Sequence, residues 1–162
     1  MNTLSQAALE SYLWSAAVLL RGLVDAGDYK QFVFPLLFYK LLSDVWDEDH
    51  AAALAASGGD AKLATATAND RFVIPPGAHW SDVRATAKDV GKALRKALCA
   101  IEAANPGKLG GIFGDAPWTN KARLPDATLK NLLEHFSAHT LSLEAVPEDE
   151  LGNAYEYLIK QF

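Results

Sequence analysis

Eight consecutive residues, Phe32-Val33-Phe34-Pro35-Leu36-Leu37-Phe38-Tyr39, form the longest apolar run in the chain. A helix that is apolar on every side has no face to give to water, so other elements have to surround it. The run also falls far short of the roughly 20 residues that a bilayer span requires. It is therefore expected to be the first half of a central buried helix running from about Tyr29 toward Ala56. Pro35 removes one backbone donor there and should kink the helix. Asp47-Glu48-Asp49 marks where the helix emerges into water.

The flanking segments carry mostly helical signals. From Ser5 to Val24, Leu9, Tyr12, Leu13, Ala16, Ala17 and Leu20 recur at three- and four-residue steps, with Ser5 as a cap. Asp25-Ala26-Gly27-Asp28 closes that helix, and Ser57-Gly58-Gly59-Asp60 forms a loop after the next. Arg71-Phe72-Val73-Ile74-Pro75-Pro76 reads as a short extended segment stopped by its prolines. Beyond Ser81 the pattern predicts one long helix to about Ala104, closed by Asn105-Pro106-Gly107. Pro125-Asp126 opens another helix through His139, and Pro147-Glu148-Asp149-Glu150 opens the last. The expected architecture is mainly α: a helical bundle with at most one or two short strands. With 162 residues, a single domain over 1–162 is the natural division.

Charge and cysteine usage narrow the function classes. A net charge of −5 argues against a protein that coats nucleic acid by bulk charge. The charge is uneven, however: Arg84 to Lys130 holds nine Lys/Arg against four Asp/Glu, and Asn131 to Phe162 holds one against six. One cysteine, Cys99, excludes an intrachain disulfide framework and points to a reducing compartment. The opening residues lack a secretory signal, so the expected location is the cytoplasm, with no membrane partner.

Several chemistry-bearing patterns are weaker than they look. Asp115-Ala116-Pro117-Trp118 resembles the loop with which amino-methyltransferases hold a flipped base, but its first proline is missing. The glycines from Gly107 to Gly114 follow a helix, whereas a nucleoside-cofactor loop follows a strand. Packing of Trp118 against its own loop is the better account. His135 and His139 have the four-residue spacing of two metal ligands, without a third ligand in reach of the motif. Cys99 has no histidine partner in sequence, and no Gly-x-Ser-x-Gly elbow occurs. No catalytic, cofactor-binding or metal-binding residue is therefore assigned to this chain.

The polar feature that does carry a hypothesis is the helix after Ser81. Val90, Leu94, Ala97, Leu98 and Ile101 cluster on one side. Arg84, Lys88, Lys92 and Arg95 fall opposite, with Lys96 on the flank, as a basic ridge on the order of 15 Å long by helical rise. Such a ridge could follow a phosphate backbone, positioning a duplex without reading its sequence. A solvated helix face would look the same. Cys99 tests the phase: on the basic side, it should be exposed. In the last segment Leu151, Tyr155, Leu158 and Phe162 form an apolar stripe suited to a partner interface, still running where the sequence stops.

Blocks spread along the chain fit one family. Leu13-Trp14, Leu20-Arg21-Gly22 and Asp28-Tyr29-Lys30 lead into Phe34-Pro35-Leu36-Leu37-Phe38-Tyr39-Lys40 and Leu41-Leu42-Ser43-Asp44-Val45-Trp46-Asp47-Glu48. Phe72-Val73-Ile74-Pro75 with Trp80 follows, and then Leu151-Gly152-Asn153-Ala154-Tyr155-Glu156-Tyr157-Leu158-Ile159. In this order they resemble the N-terminal helical domain of the methylation (modification) subunit of type I restriction–modification systems. Leu42 departs from the family, which usually has arginine after the Tyr-Lys pair.

The resemblance implies that the polypeptide is cut just before a catalytic domain that binds S-adenosylmethionine and methylates adenine N6 in DNA. It implies DNA, the specificity and restriction subunits of the same system, and a second methylation subunit as partners. Its N-terminal domain would help the complex assemble and close around DNA. A rival reading is a stand-alone helical protein-interaction adaptor that never meets DNA. A more remote one is a small enzyme using Asp115 to Trp118.

Overall fold

A computed structural model describes residues 6–23, 29–69, 73–106, 118–120 and 124–138. Among the described residues there are six helices and no strand: α1 (Gln6–Val18), α2 (Tyr29–Ala56), α3 (Ala61–Ala68), α4 (Trp80–Arg84), α5 (Val90–Ala104) and α6 (Asp126–Ser137). The mainly α bundle expected from the sequence is what forms. The final segment from Pro147, with Leu151, Tyr155, Leu158 and Phe162, lies outside the described residues, as do Ser5, the Asp25–Asp28 turn, Gly107–Pro117 and His139.

The apolar run sits at the centre, as its composition requires. Phe32, Val33, Phe34, Leu36, Leu37 and Tyr39 are all buried, and α2 touches α1, α3, α4 and α6. Pro35 lies inside α2 without ending it. The neighbouring Lys40 is also buried, and its Nζ donates to Asp44 one turn later. Leu42 packs half-buried against the core, a position where an aliphatic side chain is at home.

α1 is shorter than its periodicity suggests. After Val18 the backbone tightens, with Leu19, Leu20 and Arg21 N–H groups each bonding three residues back. Gly22 then takes a φ of 84°, the left-handed conformation that glycine adopts freely. Leu13, Ala16, Ala17 and Leu20 are nonetheless buried, and the Tyr12 hydroxyl donates to the Phe136 carbonyl at 2.5 Å.

α3 carries too faint a pattern to be read from its sequence. Two glycines at positive φ, Gly58 and Gly59, close α2, and the Asp60 carboxylate accepts from the Leu63 N–H to start α3. Only Ala64 and Ala68 of α3 are buried, so its helicity depends on lying against α2. The Trp46 indole ties the far end by donating to Asn69 Oδ1 at 2.8 Å.

The expected long helix from Ser81 to Ala104 is in fact two. α4 stops at Arg84 and α5 starts at Val90, and the polypeptide turns through Asp89 at a φ of 53°. Two side chains account for the break. The Thr86 hydroxyl donates to the Asp82 carbonyl, and the Asp126 carboxylate accepts the Val90 and Asp89 N–H groups, both at 3.1 Å. The cap on α5 therefore comes from the first residue of α6.

Candidate nucleic-acid interface

α5 has one side in the core and one in water. Val90, Gly91, Leu94, Ala97, Leu98 and Ile101 are buried, whereas Lys92, Arg95, Lys96 and Cys99 are exposed. The phase read from the sequence is thus correct, and Cys99 lies on the basic side. Burial of Gly91 fixes where this helix sits. A Cβ there would lie 1.9 Å from the Trp118 carbonyl oxygen, so only glycine lets the two backbones approach this closely.

The continuous basic ridge does not survive the break between α4 and α5. Lys92, Arg95 and Lys96 share the outer face of α5, Lys88 is exposed in the connection before it, and Arg84 belongs to a different helix. Stepping regularly from Arg84 to Arg95 requires a single helix, and the αL turn at Asp89 removes that geometry. Three of the five candidate cations are brought together on one helix, a fourth leads into it, and the fifth turns toward α6.

Arg84 is held by a carboxylate that local sequence gives no hint of. Its Nε donates to Glu134 Oε1 at 2.9 Å and its Nη2 to Glu134 Oε2 at 2.8 Å. The paired hydrogen bonds, together with the opposite charge, hold the Glu134 carboxyl below its usual range and the Arg84 guanidinium above its own. Fifty positions separate the two residues, so no helical spacing could have revealed the pair.

Shallow hollows lie beside several of these cations. One of about 270 Å³ lies between the Pro76–Ala78 turn, Asp82 and α5, with Lys96 on its rim. Another, of about 170 Å³, is bordered by Asp89, Lys92 and Thr119. A third, of about 300 Å³, has Arg84, Lys130 and Glu134 in its wall.

The other singled-out residues have packing roles. Trp118 is buried edge-on to Phe32, with ring centroids 5.3 Å apart, rather than presented as a platform for a base. The His135 ring stacks on Tyr12, and its Nε2 lies 2.7 Å from the Tyr12 carbonyl, which accepts a hydrogen bond from it. Among the described residues no three His, Cys, Asp or Glu side chains are grouped to hold a metal. No described helix is long and apolar enough to cross a membrane. A cluster missed in the sequence is Trp46, stacked on His50 at 5.0 Å and met edge-on by His79 at 4.5 Å.

Comparison with known proteins finds similarity both to a sequence family and to solved structures. The profile of the family described as the HsdM N-terminal domain matches residues 9–136. The crystal structure of the methyltransferase subunit of a type I restriction-modification system from Streptococcus thermophilus superposes with a TM-score of 0.66 at 22% identity. That match covers 97% of this chain and 39% of the other, so this chain spans well under half of that subunit's length. At that identity the superposition establishes the fold. No curated protein sequence matches.

Proposed function

Because this chain belongs to the HsdM N-terminal domain family, we propose that it is the accessory domain of a type I restriction–modification DNA adenine-N6 methyltransferase subunit. In this reading it supports assembly with the specificity subunit and closure around DNA, within a cytoplasmic complex that includes the restriction subunit and a second methylation subunit. S-adenosylmethionine binding and methyl transfer belong to a different domain of the subunit.

The observation that carries the DNA part is the outer face of α5. Lys92, Arg95 and Lys96 stand exposed on a helix whose other side is sealed into the core, so their backbone positions are fixed while their side chains remain in water. Such a face suits contact with phosphates, which set position without reading sequence. Trp14 and Val18 of α1, with Leu23 beyond it, add exposed apolar surface that suits the assembly part. Duplex DNA should slow modification of Cys99 by a small thiol reagent, because this thiol shares the basic face. Modification at the same rate with DNA present, alone or with the specificity subunit, would remove that face from the interface.

A further inference from the structure

The ion pair between α4 and α6 is not what holds those helices together. Trp80 already anchors α4: its indole N–H donates to Ser137 Oγ at 2.8 Å and its backbone N–H to Ser43 Oγ at 3.1 Å. Its ring packs on Tyr39 and Phe136, and Val83 is buried beside it. The Arg84 and Glu134 side chains, by contrast, are 48% and 58% exposed, where an ion pair adds little to stability.

What distinguishes the pair is its geometry and its neighbours. Two parallel N–H···O bonds from one guanidinium are also the arrangement by which arginine grips a phosphate. The pair opens onto the 300 Å³ hollow whose wall includes Thr86 and Lys130. Lys130 is exposed one turn before Glu134 on α6, and Lys88 is exposed four residues after Arg84. A carboxylate displaced from this site would move into water, so exchanging it for another anion costs little.

We propose that this hollow is a seat for one backbone phosphate, gripped by Arg84 and Lys130, and that Glu134 occupies Arg84 as an intramolecular stand-in until nucleic acid displaces it. The inference rests on the DNA reading above and adds to it a phosphate position, a second cation and a built-in competitor. Glu134 thereby weakens binding to any duplex, sequence-independent contacts included.

Fluorescence anisotropy of a random-sequence duplex with the full chain tests this in four backgrounds: wild type, Glu134→Gln, Arg84→Gln and the double variant. Glu134→Gln should tighten binding about two- to five-fold and steepen the salt dependence by up to about 0.9 in slope. The double variant should bind no better than Arg84→Gln alone. An equal gain with and without Arg84 would mean that only long-range repulsion was removed, and would overturn the proposal. Absence of any gain would overturn it too. Neutralising Lys92, Arg95 and Lys96 separates the two levels. If that triple change weakens binding while Glu134→Gln does nothing, the seat is wrong and the DNA reading stands; if neither changes binding, both fall.

Discussion

Two sets of contacts join α4 to α6, one within the core and one in water, and they behave differently. The inner set runs through Trp80, which bonds Ser137 and packs on Phe136 of α6 while also bonding Ser43 and packing on Tyr39 of α2. The outer set is the Arg84–Glu134 pair. A buried donor that loses its partner keeps its desolvation cost, so the inner set fixes one arrangement. An exposed pair loses only a partner that water or another anion can replace, so the outer set is exchangeable. The same division applies to α5, whose inner side specifies where the helix lies and whose outer side is left to solvent.

The largest expected effect lies on the inner side. Phe136 is fully buried and in ring contact with Tyr12, Trp80 and His135. Phe136→Ala should destabilise the fold by about 3–5 kcal/mol in urea or thermal unfolding. A loss under about 1 kcal/mol would mean that the core is not organised around this ring.

A smaller loss is expected at the base of α5. Gly91→Ala would force a Cβ toward the Trp118 carbonyl oxygen, and backbone on one side has to shift. A destabilisation of about 1–3 kcal/mol follows, in the range of overpacked cores. A neutral substitution would show that α5 does not lie against Trp118, and the orientation of its basic face would need to be redrawn.

What the sequence makes legible divides along the same line. The bounds of α2 and the phase of α5 can be read because each depends on its own apolar residues, the run from Phe32 to Tyr39 in one and the periodic stripe from Val90 to Ile101 in the other. The break between α4 and α5 cannot, because its cap is Asp126, 36 positions beyond Val90. Nothing between Ala85 and Asp89 is a glycine or a proline, so the usual stop signals are absent, and the local Thr86–Asp82 contact leaves no distinctive mark in the sequence. α3 escapes because two buried alanines make no visible stripe. The cations of α5 stand out as a group, but Glu134 does not, since pairing across separate helices leaves no periodic trace.

Acid titration sharpens the comparison with a still smaller effect, because two carboxyls are shifted in opposite directions. Glu134 is held below its ordinary range by Arg84, so its contribution is present above the unfolded-state value and is lost as pH falls through the folded one. Asp47 is held above its ordinary range, chiefly by partial burial and in part by Asp44, against the opposing pull of His79, Lys40 and His50. Its contribution is greatest below the unfolded-state value and is lost as pH rises through the folded one. Relative to wild type, Glu134→Gln should thus lose stability only as pH rises through the carboxylate range. Asp47→Asn should lose least at the upper end of that range. Parallel pH profiles for the two variants would contradict both assignments.

That the outer face of α5 meets DNA phosphates is tested most directly by the salt dependence of binding. With Lys92, Arg95 and Lys96 all changed to Gln in the chain assembled with the specificity subunit proposed as its partner, a plot of log K against log salt concentration should become shallower. The expected change is about 0.9 for each phosphate that is no longer neutralised, with binding weakened to a similar degree on every duplex sequence. A slope identical to wild type would contradict the claim and leave these three residues as an ordinary solvated helix face.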